Sequence, residues 1–201
     1  MVGVTQAHLP DPLTLRDRLL AATYQCVSRF GLGKTTIEDV AKESGLSRAT
    51  IYRQFPGGRE ELLLETVGWE LANYFTALAD HVRDAPDLAE LLERGLAYAH
   101  RSVTEHVVLR KILDTEPERL LPLLTVESAN IMPFIGDFLY PYLVREADAG
   151  RLRADVDLGS AAEYLARCIL MLINAPGRWD LEDPEQVRDL VQSELLGGIV
   201  A

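Results

Sequence analysis

Cysteine is scarce in this 201-residue chain. Cys26 and Cys168 stand far apart, each among apolar residues at helical spacing, which weighs against a disulfide or a metal pair and reads as two buried thiols. Long hydrophobic runs are also missing. The richest stretch, residues 161–173, is interrupted by Glu163 and Arg167. Nothing reaches the roughly 18 apolar residues of a membrane helix, so no membrane partner is expected. The opening MVGVTQAHLPDP has neither the basic start nor the apolar centre of a secretion signal; it reads as a tail without helical period, on a cytoplasmic protein. His8, His81, His100 and His106 show no HxxxH or HExxH spacing, and neither a glycine-rich phosphate loop nor a nucleophile elbow occurs. The close carboxylates Glu60 and Glu61, and Glu116 and Glu118, read as decoration of helix starts or solvent faces. With no base-and-nucleophile constellation, the expectation is a protein that is not an enzyme and uses no cofactor and no metal. Strand-like alternation and internal repeats are absent too, which leaves helical periodicity as the organising pattern.

What the chain has in excess is negative charge, 31 acidic residues against 20 basic, for a net −11. Such a chain repels phosphate as a whole, but the charge is unevenly spread. Between Leu13 and Arg59 the eight basic residues Arg16, Arg18, Arg29, Lys34, Lys42, Arg48, Arg53 and Arg59 outnumber the four acidic ones, giving +4 there and −15 elsewhere. Charges beyond a Debye length of about 8–10 Å are screened. The first segment can therefore approach nucleic acid on its own terms, while the rest disfavours indiscriminate adhesion.

That segment reads as three helices. Leu15, Leu19, Ala22, Cys26 and Phe30 step by three or four and form one apolar stripe, which Gly31 and Gly33 end. Thr36, with Asp39 three residues on, caps a second helix carrying Ile37, Val40 and Ala41; Gly45 ends it in the left-handed region, and Ser47 caps a third. Burial of Leu46, Ile51 and Phe55 leaves Arg48, Ala49, Thr50, Arg53 and Gln54 outward, a face that suits a nucleic-acid groove. The turn Pro56-Gly57-Gly58 then leads into a long helix from near Arg59 to about Val82, apolar over a broad surface.

The spacing of Ala41, Gly45, Leu46 and Ile51 is that of a helix-turn-helix. The longer string TTIEDVAKESGLSRATIYRQF, with Tyr52 and Phe55 following Ser47, resembles the TetR family of bacterial transcriptional regulators over the first seventy or so residues. Beyond them the likeness is one of length and helical character alone. The resemblance implies that Arg48 and Arg53 bond guanine bidentately, that Gln54 serves adenine, and that Ala49 and Thr50 pack a thymine methyl. Thr36, Ser47 and Tyr52 become phosphate clamps, and Arg59, at the positive start of the long helix, a further phosphate contact. The plainer alternatives are solvated arginines and, for Tyr52, a core ring with its hydroxyl at the rim. Family members commonly carry a shorter turn with a lysine where this chain has an extra glycine and an arginine, a departure that bears on Arg59.

Beyond Pro86 the periodicity predicts helices over 87–103, 105–113, 117–124, 126–149, 157–174 and 184–196, with Pro133 and Pro141 breaking or kinking the fourth. The segment 157–174 is apolar nearly all round. It is either a deeply buried central helix or, as the resemblance implies, one of the last two helices that pair with their mates in a homodimer. The residues assigned to that interface are Leu165, Cys168, Ile169, Leu172, Val187, Leu190, Val191 and Leu195. Trp69, Phe75, Leu78, Leu96, Phe134, Phe138, Tyr164 and Met171 are the candidates to line an apolar cavity, with His100, Asn130 or Arg167 as polar contacts; the alternative is a packed core.

The expectation is therefore an all-α protein, with a three-helix DNA-binding domain in residues 13–60 and a helical ligand-binding and dimerisation domain in 61–201. Its implied partners are a palindromic double-stranded operator, a second copy of the chain and a small hydrophobic or amphipathic effector that releases a repressor. Activation rather than repression, a ligand-binding or interaction protein with a degenerate helix-turn-helix, and a helical enzyme acting on an apolar substrate stand as alternatives.

Overall fold

The computed structural model describes the backbone of residues 14–200 and their side chains except those of 113, 117, 119–131 and 174; the amino-terminal tail lies outside the described residues. Among the described residues the architecture is all-helical, without strands. The helices are α1 (Leu15–Phe30), α2 (Ile37–Ser44), α3 (Arg48–Gln54), α4 (Gly58–Val82), α5 (Leu88–Glu105), α6 (Val107–Thr115), α7 (Pro117–Asp148), α8 (Leu158–Asn174) and α9 (Pro184–Leu190). The last runs on into a π-helical turn, Val191–Leu195. No helix among the described residues is long and apolar enough to cross a membrane.

One segment differs from the sequence reading. Residues 117–124 and 126–149 form a single 32-residue helix, α7. Pro133 and Pro141 are both exposed, so water can meet the carbonyls that each ring deprives of a helical partner, and the helix continues through them.

The chain divides into two compact units. One comprises the chain through Leu71 together with Ile112–Leu120; the other comprises Ala72–Lys111 and Leu121–Ala201. In the first, Leu19, Cys26, Val40, Ile51, Phe55 and Leu62 form the core on which the three short helices are seated. In the second, α5, α8 and α9 pack around Leu92, Leu96, Leu165, Leu190 and Leu195, with Leu139 and Leu143 of α7. Glu146 is buried there and is held bidentately by Arg151 at 2.6 and 2.8 Å.

Candidate nucleic-acid interface

Local chemistry sets up the helix-turn-helix. At the start of α2 the Thr36 hydroxyl accepts from the Asp39 amide at 3.2 Å and donates to its carboxylate at 2.6 Å, which in turn accepts from the Thr36 amide at 3.0 Å. These bonds hold the Asp39 carboxyl below the usual carboxylate range. Gly45 ends the helix at φ 68° and ψ 23°, a conformation that a side chain would strain. Ser47 then caps α3, accepting from the Thr50 amide at 3.2 Å.

A seven-residue helix has no stability of its own. The back of α3 supplies it: Ile51 and Phe55 are fully buried, worth about 1.5–3 kcal/mol each. Arg16, which the sequence offered only as one basic residue among several, braces the same helix. Its guanidinium donates to the Gln54 carbonyl at 3.0 Å, pairs with Glu65 at 2.6 Å and lies 4.4 Å from the Phe55 ring centroid.

The front of α3 carries Arg48, Ala49, Tyr52 and Arg53, all exposed, with Thr50 and Gln54 half-buried beside them. Arg16, Arg29, Lys42 and Arg59 each have a carboxylate within ion-pair distance; among the described residues Arg48 and Arg53 have none. The Ser47 and Thr50 hydroxyls share one hydrogen bond at 3.0 Å, which uses one of their two protons and leaves the other for an outside acceptor. Tyr52 is 51% exposed, with its ring against Gly58. Between α2 and α3 runs an open groove of about 380 Å³ lined by Glu38, Ala41, Lys42, Leu46, Ser47 and Arg48.

Two of the residues assigned to DNA have other occupations. Arg59 turns inward: its Nε donates to the Thr35 carbonyl at 2.7 Å, another nitrogen takes the Leu32 carbonyl and a third pairs with Glu60. A guanidinium so engaged is a brace for the loop before α2, not a free phosphate contact, and the start of α4 carries Glu60 and Glu61 instead. Thr36 likewise spends its hydroxyl proton on Asp39.

The assignments in the second half of the chain change more. Leu165, Leu172, Val187, Leu190, Val191 and Leu195 are at most 4% exposed within the chain's own core, so a partner cannot touch them; Cys168 and Ile169 are partly exposed. The outward stripe of α8 is instead Tyr164, Arg167, Cys168 and Met171, at the i, i+3, i+4, i+7 spacing of one helix face. Tyr164 and Met171 are 43% and 59% exposed, and Arg167 pairs with Glu163 at 2.7 Å, so all three leave the group assigned to a cavity. Trp69 leaves it too, packing on the core of the first unit. Phe75 and Phe134 do meet, with ring centroids 4.4 Å apart, although Phe134 is 47% exposed and so forms an open edge rather than the wall of a closed cavity; Leu78, Leu96 and Phe138 belong to the second core. His100 has a buried Nδ1 with no hydrogen-bond partner among the described residues. The side chain of Asn130 lies outside the described residues.

A helix-turn-helix on an all-helical body defines the class. Residues 19–66 match the family model described as bacterial regulatory proteins, tetR family. The likeness to the TetR family is carried by this segment, less than half of the chain. The HTH-type transcriptional regulator LmrA of Bacillus subtilis is 33% identical over 82 residues, 40% of this chain and 43% of that one. The alignment thus spans less than half the length of that curated relative. Over the whole fold, the TetR family repressor AlkX of a Dietzia species is similar at a TM-score of 0.63 and 22% identity, covering 92% of this chain and 97% of that one. SmeT of Stenotrophomonas maltophilia, solved in complex with triclosan, is similar at a TM-score of 0.58 and 22% identity, covering 92% and 91%.

Proposed function

We propose that this chain is a transcriptional repressor that reads a palindromic operator as a homodimer and is released by a small hydrophobic or amphipathic effector. The observation that carries the reading is the front of α3. Arg48 and Arg53 are exposed and, among the described residues, free of carboxylate partners, beside Ala49 and Thr50, on a helix whose back is locked by Ile51 and Phe55. Two arginines reaching guanine edges discriminate by about 1–3 kcal/mol each, and Ser47, Tyr52 and Lys42 hold the backbone in register.

One short helix reads too little DNA, so a second copy is needed about 34–36 Å away or a multiple of it. The outward stripe of α8, Tyr164, Cys168 and Met171 with Arg167, offers the partner surface. The effector side rests on the aromatic contact of Phe75 with Phe134 and on His100, whose buried Nδ1 has no partner among the described residues, a costly state that a ligand donor or acceptor would relieve. The same fold holds triclosan in SmeT. Release follows from linkage: an effector that prefers the state with misplaced recognition helices tenfold weakens operator binding by about 1.4 kcal/mol. Helix α4, which contributes to both units, is the continuous route.

Selection of duplexes from a random library by the purified protein tests the reading. Enrichment of a two-fold-symmetric site, lost with Arg53→Ala, is expected; absence of any preference among duplexes in moderate salt would overturn it.

A further inference from the structure

The loop from Gly31 to Thr36 joins α1 to α2; its ends pair with those helices, the Gly31 amide with the Val27 carbonyl and the Thr36 carbonyl with the Val40 amide, but the groups between lie outside both helical ladders. It is gripped from two sides. Arg59 takes the Leu32 and Thr35 carbonyls, and the Thr35 hydroxyl donates to the Gly31 carbonyl at 2.7 Å. From the other side the Gly33 amide donates to Oε2 of Glu116 at 2.6 Å, across 83 residues of sequence. A Cβ at Gly31 would lie 2.1 Å from Oε1 of the same carboxylate, so the space a side chain would need there is filled by Glu116. Cation takes carbonyl and anion takes amide, and both bonds are of the stronger charge-assisted kind.

Glu116 is the single residue between α6 and α7. Pro117, which opens α7, disfavours helical backbone at the residue before it and so keeps Glu116 at a fixed junction. Compactness assigns Ile112–Leu120 to the same unit as the three short helices, although it comes from the second half of the chain.

We propose that Glu116 is a positioning residue for DNA reading. Through the Gly33 amide it fixes the loop that starts α2, and so the seat of the recognition helix, and it makes the α6–α7 junction a control point for the reading head. A shift of the junction by roughly 1 Å takes the bond beyond hydrogen-bond range, and the loop is then held from the Arg59 side alone. This rests on the operator-reading function proposed above.

The test uses the full-length protein and the duplex most enriched from a random library by the wild type. Glu116→Ala is expected to weaken binding of that duplex about tenfold, with the slope of log affinity against log salt unchanged because the phosphate contacts themselves remain. Glu116→Gln, which keeps an acceptor oxygen, is expected to recover most of the loss, which a general destabilisation would not predict. Amide exchange at Gly33 should be slow in the wild type and fast in Glu116→Ala. Binding by Glu116→Ala within twofold of wild type, a loss reproduced in full by Glu116→Gln, or a wild-type Gly33 amide that exchanges like an open loop would each overturn the proposal. Should Glu116→Ala not fold, the wild-type exchange rate and Glu116→Gln still decide it. Should the wild type enrich no duplex, the operator-reading function fails, while the Gly33 exchange rate still judges the clasp.

Discussion

Helices α3 and α8 both present a face that the chain does not cover, and the two faces are chemically opposite. On α3, seven residues long, the exposed set is Arg48, Ala49, Tyr52 and Arg53, with its two cations unpaired among the described residues. On α8, seventeen residues long, it is Tyr164, Arg167 and Met171, with Cys168 half-buried between them and the one cation already paired to Glu163. Leaving guanidinium groups in water costs little, and they gain when phosphates or guanine edges arrive. Leaving a methionine 59% exposed beside a tyrosine forgoes burial, and the gain comes only when another apolar surface arrives. The contrast separates the two proposed partners, nucleic acid for α3 and a second chain for α8, and each half can be broken alone.

The largest effect is expected from charging the apolar face. Met171→Glu should turn the proposed dimer into a monomer in sedimentation, and with the second recognition helix no longer tethered operator affinity should fall by about a hundredfold or more. The first unit should keep its fold, since Met171 lies outside it. If Met171→Glu stays dimeric, the two faces do not differ in the way described. Next come the cations of α3. Arg53→Ala and Arg48→Ala should each cost about 1–3 kcal/mol of operator affinity in a titration, while sedimentation stays that of the dimer. A drop shared equally by all duplexes would mark the residue as a phosphate contact instead.

These two faces were not equally legible. The start of α2 at Thr36, its end at Gly45 and the cap at Ser47 are written in contacts three or four residues long, and once Ile51 and Phe55 are known to face inward the front of a short helix follows. Helix α8 gives no such direction. With apolar residues nearly all round, its inner side is chosen by fit: Ala161, Ala162, Leu165 and Ala166 seat closely in the core, while Tyr164 stays outside, where its hydroxyl reaches the Glu194 carbonyl at 2.6 Å. The sequence reading put Leu165 and Leu172 outward and Tyr164 and Met171 inward, the reverse of what packing selects. Arg59 and Glu116 were misjudged for a different reason. Their partners are loop carbonyls and an amide 24 to 83 residues away, and backbone groups leave no mark in a sequence.

A smaller effect tests whether the α3 face depends on the turn that aims it. Gly45→Val places a β-branched residue at φ 68°, which should cost about 1–2 kcal/mol in urea unfolding. No atom lies within 4 Å of a Cβ there, so the penalty is one of backbone conformation alone. Operator affinity should fall further than oligomerisation, because α8 is untouched.

The smallest effect concerns the cap that starts α2. Asp39 accepts from the Thr36 hydroxyl and amide, and these bonds lower its pKa in the folded chain. A carboxyl whose folded pKa lies below its unfolded value of about 3.9 contributes stability that is fully present above that value and is lost as the pH falls through the folded one. The difference in thermal midpoint between wild type and Asp39→Asn should therefore be constant at neutral pH and shrink on acidification below about pH 4. Thr36→Ala, which removes the hydroxyl from the same box, should cost about 0.5–2 kcal/mol at neutral pH. Neither substitution should change the sedimentation of the dimer, since both residues belong to the first unit. An Asp39→Asn difference that grows as the pH falls would mean that the carboxylate is strained rather than stabilised at the start of α2.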